Sequence, residues 1–182
     1  MRRQPRNPKR KKSPLVVRPA PCDRCQAILQ FGPLRLRAAL GRSGITVFKR
    51  EGDGATPRAA MRLLEGFYRN DRSGRPRTAL PFSAIRSDML WCDAPAHPAY
   101  NRRIRAPSTA SHERLTRPDQ LYDVCIVLDW NITSRRRNRG SAIFLHLARE
   151  NYLPTEGCVA LCATDMRRIL PHLGRHTVLR IL

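Results

Sequence analysis

Residues 124–128, VCIVL, form a continuous apolar run within the segment LYDVCIVLDW and limit the fold of this chain more than any other feature. A run of this length between polar residues is typical of a strand that is covered on both faces. Residues 131–140, NITSRRRNRG, have the composition of a hairpin loop. Residues 141–146 are therefore expected to return as the partner strand, which would carry His146 at the end of a central strand.

A cysteine follows this histidine after a short turn. The sequence Thr155-Glu156-Gly157 favours the turn and presents Cys158. A thiol becomes a nucleophile when a neighbouring imidazole takes its proton, and an adjacent glycine lets backbone N–H groups approach a reacting carbonyl oxygen. We therefore predict Cys158 as nucleophile, His146 as general base and Gly157 as a backbone oxyanion donor. The alternative is a structural role, since buried cysteines and strand histidines are common core residues.

These residues resemble the signature of the L,D-transpeptidase catalytic domain, in which a histidine precedes a Ser/Thr-His-Gly-Cys turn. A second segment, KREGDGATP at residues 49–57, is similar to the family's earlier Gly-Asp followed by Thr-Pro. The resemblance extends over residues 15–182. The sequence departs from the family pattern in a shorter histidine-to-cysteine interval and in four residues, namely Leu147, Glu156, Ala160 and Ala59.

The resemblance implies a mainly β fold, an L,D-transpeptidase-like β-sandwich or open barrel with one or two short helices. It implies a cysteine L,D-transpeptidase acting on peptidoglycan stem peptides in the periplasm or cell envelope. Cys158 would attack a carbonyl at the L-centre of a diaminopimelate residue, release the terminal D-alanine and pass the acyl group to an amine. No cofactor and no metal are expected. Substrate contacts are predicted from Thr155, Glu156, Tyr152 and His112.

Two other functions stay open at the level of the sequence. The first is a hydrolase or peptidase of the same fold, in which water resolves the acyl-enzyme. The second is a non-catalytic basic module that binds cell wall or nucleic acid. The net charge of +21, from 35 basic and 14 acidic residues, would attract either polyanion. An arginine-rich composition without a binding role is the alternative explanation, because only four of the basic residues are lysine.

The length of 182 residues fits one domain with its own core. Residues 1–14, MRRQPRNPKRKKSP, are predicted to be a basic disordered tail, and residues 15–182 the catalytic domain. The sequence has no apolar run of the length of a transmembrane helix. Residues 15–17 are interrupted by Arg18 and Pro19, which does not resemble a signal-peptide core and leaves a cytoplasmic location open. The oligomeric state is open.

The six cysteines do not form a disulfide-framework pattern. Cys22 and Cys25 have the spacing of a metal knuckle, but no second pair follows, so no zinc site is predicted. His112 and Glu113 lie in an irregular, loop-rich region. Either they line a cleft or His112 is an ordinary surface histidine.

Local patterns predict several further elements. Strands are expected at residues 26–31 and 34–38 around a Gly32-Pro33 turn, and at residues 45–48, 85–91 and 177–182. A helix is expected to begin at Thr164, with the Thr164 side chain as its cap and Asp165 at its positive end. Residues 59–68 are apolar, but their pattern does not distinguish a helix from a strand.

Overall fold

The computed structural model describes residues 14–182 and consists mainly of β-strands joined by loops. It confirms the prediction of a mainly β fold with few helices. The single α-helix of the described residues is α1 (Ala163–Ile169), and two short 3₁₀ turns lie at Glu150–Tyr152 and Leu170–His172. The predicted basic tail, residues 1–14, lies outside the described residues except for Pro14.

The strands are short and follow one another at close intervals along the chain. They are β1 (Leu15–Ala20), β2 (Asp23–Phe31), β3 (Leu34–Ala39), β4 (Ile45–Thr46), β5 (Thr56–Pro57), β6 (Ala60–Tyr68), β7 (Phe82–Ala84), β8 (Met89–Cys92), β9 (Arg102–Arg105), β10 (His112–Arg114), β11 (Val124–Leu128), β12 (Phe144–Leu147), β13 (Val159–Leu161) and β14 (Val178–Ile181).

Nine of these strands form one sheet in the order β11-β12-β13-β3-β2-β1-β14-β6-β7. A further pairing of β11, the first strand of this order, with β6, the last but one, closes the sheet into a barrel. A three-stranded sheet, β10-β8-β9, and the short pair β4-β5 are separate from it. Closure leaves few unpaired strand edges, which is how many small β proteins protect their backbone hydrogen bonds.

The hairpin predicted from the apolar run is present, with β11 antiparallel to β12 and Cys125 opposite His146. All five residues of β11 are buried. Val124, Ile126 and Leu128 face the barrel interior, whereas Cys125 and Val127 belong to a second apolar cluster on the other face. The run is continuously apolar because each of its faces contacts a different core.

The second cluster lies between the barrel wall and the three-stranded sheet. Trp91 of β8 packs edge-on against Phe144 of β12, with ring centroids 5.2 Å apart. Tyr122 packs edge-on against the same ring at 5.9 Å. Cys158 belongs to this cluster as well. The second cluster therefore fixes the region around the cysteine, because large aromatic side chains supply much of the free energy of burial.

Three local predictions are corrected. The strand expected at residues 45–48 ends at Thr46, and the side chains that follow are exposed, Val47 at 59% and Phe48 at 76%. The strand expected at residues 85–91 begins only at Met89, as β8, because residues 86–89 form a turn in which the Met89 N–H donates to the Arg86 carbonyl. Helix α1 has Cys162 as its N-cap and no side-chain capping bond, so Thr164 does not cap it.

The outcome for three further strand predictions is favourable or becomes definite. The strands at 26–31 and 34–38 correspond to β2 and β3, which pair across the Gly32-Pro33 turn. Residues 59–68 contain strand β6. All six cysteines are free thiols. Within residues 14–182 no helix is long and apolar enough to cross a membrane, and no group of three or more His, Cys, Asp or Glu residues is placed to hold a metal ion.

Gly66 of β6 provides a test of this packing, because Phe82 of β7 lies directly over it in register. A Cβ at position 66 would stand 2.2 Å from the Phe82 ring. Gly66→Ala is expected to lower the free energy of unfolding by about 1–3 kcal/mol, the usual cost of overpacking a core. Urea unfolding measures the change. The matched control is Gly74→Ala at an exposed glycine with no atom within 4 Å; an equal loss in both variants would contradict the packing described.

Candidate active site

A cavity of about 310 Å³ opens beside the second cluster and is lined by both Cys158 and His146. Its wall combines the end of β12, the turn before β13, the segment before β5 and the edge of the three-stranded sheet. Its charged lining residues are four carboxylates, Glu51, Asp93, Glu113 and Glu156, and three cations, Lys49, Arg117 and Arg149. Strands hold one side of the cavity rigid, and loops form its rim.

The Cys158 thiol is held against the backbone of the strand beside it. Parallel pairing of β12 and β13 sets Leu145 opposite Val159, which brings Cys158 next to Phe144. The Phe144 N–H donates to the sulfur at 3.3 Å, and the sulfur lies 3.2 Å from the Ala142 carbonyl oxygen. Two backbone groups therefore fix the sulfur at the wall of the cavity.

The His146 imidazole lies two residues farther along β12, on the same face of the strand as Phe144. Its Nδ1 lies 2.8 Å from the Leu147 carbonyl oxygen. A carbonyl only accepts, so Nδ1 carries the proton and Nε2 presents a lone pair. The Tyr122 ring packs edge-on against the imidazole, with centroids 5.3 Å apart. The imidazole is thus fixed in the tautomer that a proton acceptor needs.

The turn that carries the cysteine is stabilised by Thr155. Its hydroxyl donates to the Cys158 carbonyl at 2.7 Å and accepts from the Gly157 N–H at 3.1 Å. Gly157 has φ +133°, and a Cβ there would lie 2.8 Å from the Ala55 carbonyl oxygen. Only glycine fits this close approach without strain. In this arrangement the Gly157 N–H is bonded to Thr155.

The two motifs found in the sequence meet around Gly41. The Thr155 N–H donates to the Leu40 carbonyl, and the Arg42 N–H donates to the Thr155 carbonyl, each at 2.8 Å. The Gly41 N–H donates to the Thr56 hydroxyl, also at 2.8 Å. The Gly-Asp and Thr-Pro segment is therefore bound to the turn of Cys158 through one loop, although a hundred residues separate them in the sequence.

Burial favours the neutral forms of the Cys158 thiol and the His146 imidazole. It lowers the pKa of His146 to about 4 and raises the pKa of the Cys158 thiol to about 12, although the Phe144 N–H at the sulfur acts in the opposite direction. The cause is desolvation, which disfavours the imidazolium and the thiolate alike. The thiol and the neutral imidazole are therefore the favoured forms in the free protein.

The four predicted substrate contacts differ in their placement. Thr155 and Glu156 line the cavity, and the exposed Glu156 carboxylate accepts from Arg42 at 2.9 Å. Tyr152 is outside the lining and packs under the Arg37 guanidinium at 4.5 Å. His112 is outside it as well, with Nδ1 2.6 Å from the Ala110 carbonyl oxygen. The structure brings the first two to the cysteine and not the last two.

Sequence reasoning passed over two lining residues, Tyr122 and Asp93, and named Glu113 only together with His112 as a pair that could line a cleft. Glu113 follows His112 in β10, and the alternation of a strand turns the glutamate to the cavity when the histidine points away. The Tyr122 hydroxyl donates to Glu113 at 3.1 Å. The alternation of side chains along a strand indicates that His112 and Glu113 point to opposite faces of β10. Which of the two faces the cavity depends on the strands that pack beside β10, and these are not visible in the local sequence.

Protonation of His146 is expected to destabilise the fold as the pH falls from 6.5 to about 4. In this window the unfolded imidazole, with its ordinary pKa of 6.5, takes a proton, whereas the buried one, with a pKa of about 4, does not. At about 1.36 kcal/mol per pKa unit, stability of about 3 kcal/mol is present above pH 6.5 and lost by about pH 4. Urea unfolding across this range should show a smaller loss in His146→Gln. The exposed His176→Gln should keep the wild-type profile, and a wild-type profile in His146→Gln would contradict the assignment.

Comparison with known proteins agrees with this geometry. Residues 27–181 match the YkuD family model, described as the L,D-transpeptidase catalytic domain. No curated protein and no solved structure matches the chain. The family match includes β3, β12 and β13 and both sequence motifs. Because it covers most of the chain, the protein belongs to the L,D-transpeptidase catalytic-domain family.

Proposed function

We propose that this protein is a cysteine L,D-transpeptidase that acts on peptidoglycan stem peptides, with Cys158 as nucleophile and His146 as general base. One observation carries the proposal: the thiol and an imidazole with Nδ1 bound to the Leu147 carbonyl line the same cavity. Family membership supports acyl-transfer chemistry in general. The peptidoglycan substrate, the roles of the residues and a place in the cell envelope belong to the proposal.

Acylation would begin from the neutral pair. As the sulfur attacks the donor carbonyl, the thiol proton passes to Nε2 of His146, so the thiolate and the imidazolium form only together with the new C–S bond. Collapse of the tetrahedral intermediate breaks the peptide bond, and the imidazolium gives its proton to the departing D-amino acid. The edge-on Tyr122 ring would keep the imidazole in place through both transfers.

The turn would supply the oxyanion donors. Backbone N–H groups at Gly157 and Cys158 lie beside the attacking sulfur, and such donors usually contribute much of the transition-state stabilisation. The Gly157 N–H donates to Thr155 in the free protein. During the reaction this N–H would leave Thr155 and donate to the oxyanion, which requires a rotation of the peptide group. The turn would keep its shape because the Thr155 hydroxyl also donates to the Cys158 carbonyl.

The acyl-enzyme would then be resolved by an amine of a second stem. The amine attacks the thioester carbonyl, His146 accepts its proton, and the sulfur leaves and regains a proton. Water in place of the amine gives hydrolysis. The departures from the family pattern do not block the cavity, because Glu156 is held on the rim by Arg42 and Ala160 is buried in β13.

Covalent trapping tests the nucleophile. Incubation with a carbapenem is expected to add the mass of the intact antibiotic to Cys158, located by peptide mass spectrometry. Cys158→Ser should give no adduct, and His146→Gln should slow acylation by about 10²–10⁴-fold, the range of general-base contributions. Cys162→Ser, at a cysteine outside the cavity lining, is the matched control and should react like wild type. An unmodified wild-type protein would leave only the binding-module function.

Product analysis separates transfer from hydrolysis. With a tetrapeptide donor we expect release of D-alanine, and with an amine acceptor also present we expect a cross-linked product. Release without cross-linking at any acceptor concentration would identify a hydrolase. The Cys158→Ala variant serves as the blank for both products.

The neutral resting pair predicts slow alkylation of Cys158. With the pKa of the thiol at about 12, its rate with iodoacetamide should stay low at neutral pH and rise continuously with pH. The exposed Cys22 provides an internal comparison, and the two thiols should react alike once the chain is unfolded in urea. Fast, pH-independent labelling of Cys158 in the folded protein would instead indicate a preformed thiolate.

A further inference from the structure

The charge of the cavity differs from that of the rest of the molecule. The chain carries a net charge of +21, yet the cavity lining has four carboxylates against three cations. Two of the carboxylates have local partners, since Glu156 is paired with Arg42, and Glu51 accepts from Ser141 and Tyr100. The other two, Asp93 and Glu113, lie together on the edge of the three-stranded sheet.

Asp93 has an unsatisfied acceptor. Its Oδ1 is buried and accepts no hydrogen bond from any residue in the described part of the chain. Its backbone is fixed, because the Asp93 N–H donates to the Ser111 carbonyl at 3.2 Å. A buried carboxylate oxygen without a partner is unfavourable. In a chain with 35 lysine and arginine residues, the lack of a partner at this position indicates a place for an external donor.

Glu113 adds a second, weakly compensated carboxylate. In the register of β8 and β10 it lies opposite Trp91, two residues before Asp93 and on the same face of β8. Its nearest cation, the Arg117 Nη1, is 3.5 Å away. That guanidinium is already committed to Asp119 through two bonds of 2.9 and 2.7 Å. One cation thus faces several carboxylates, and this wall of the cavity stays negative.

We propose that Asp93 and Glu113 bind the ammonium group at the end of the donor's side chain and so select stems with a free, charged diamino-acid side chain. This inference rests on the proposed function. An ammonium presents three N–H donors and a positive charge, which suits two carboxylates with open acceptor positions. Holding the far end of the side chain while the stem carbonyl lies at Cys158 would align the carbonyl with the sulfur.

The charge also sets what the pocket rejects. A side chain that is acetylated at the amine brings one N–H and no charge, so the negative charge of the two carboxylates would stay only partly compensated, by Arg117 and Tyr122 at Glu113. Sites that pair buried polar groups with the substrate discriminate strongly against analogues that lack the partner. The described residues offer no third metal-binding side chain near the pair, so an organic cation fits better than a divalent metal ion.

The experiment measures acylation alone, which separates the donor from the acceptor. Two tetrapeptide donors differ only in the distal amine of diaminopimelate, which is free in one and acetylated in the other. Formation of the Cys158 acyl-enzyme and release of D-alanine are followed by mass spectrometry. We expect wild type to prefer the free amine by at least about tenfold, with most of the effect in KM.

Asp93→Asn and Glu113→Gln keep the shape of the side chains and remove the charge. Each is expected to reduce the preference for the free amine by about tenfold. The preference is the ratio of the two donors' rates in the same variant, so a general loss of activity or of folded protein would leave it unchanged. Glu65→Gln, at a carboxylate outside the cavity lining, is the matched control and should keep the full preference.

The outcomes are distinguishable. Equal use of both donors by wild type, or an unchanged preference in both variants, would overturn this inference and leave the proposed function intact. The same comparison can be made with acceptor stems, whose amine attacks the acyl-enzyme in the second step. A preference for the free amine that appears only with the acceptors, and not with the donors, would also overturn the inference. A wild-type protein that forms an acyl-enzyme with neither donor and with no carbapenem would overturn the proposed function itself.

Discussion

Parallel pairing of β12 with β13 is the constraint on which the site depends. It brings the residue before β13 beside the first residue of β12, so the sulfur of Cys158 accepts from the Phe144 N–H at 3.3 Å. His146 follows two residues later on the same face. A shift of one residue in either strand would turn the cysteine or the histidine into the barrel interior. Register, set by the apolar cores on both sides, therefore places both side chains on the wall of one cavity.

The same burial that fixes this register determines the chemistry. A thiol and an imidazole held in an apolar cluster stay uncharged, with the pKa of Cys158 raised to about 12 and that of His146 lowered to about 4. In the proposed mechanism this neutral pair would gain its charges only as a substrate carbonyl arrives. The Asp93 and Glu113 carboxylates of the same cavity would then receive the positive charge that we propose for the substrate, in a molecule that is otherwise strongly basic.

The sequence predicted those parts of the fold that local pattern encodes. The run Val124–Leu128 gave a central strand covered on both faces, and the alternation around the Gly32-Pro33 turn gave β2 and β3. The errors occurred where the pattern is short. Val47 and Phe48 are apolar but exposed, so the apolar run at residues 45–48 predicted too long a strand. Thr164 is a residue type that often caps helices, yet α1 begins one residue earlier, at Ala163. The N-cap is Cys162, which follows β13 directly and has an extended conformation.

By itself, the sequence determined the family, several strands of the barrel and the pair of motifs that contains the cysteine and the histidine. Only the tertiary structure decided which neighbours these residues have. It turned Glu113 rather than His112 to the cavity, left Oδ1 of Asp93 without a donor among residues 14–182, and brought Ala55 so close to position 157 that only glycine fits. The physical reason is that burial, pKa and hydrogen-bond partners arise from contacts between segments far apart in the chain, whereas periodicity and turn preference act over a few neighbouring residues.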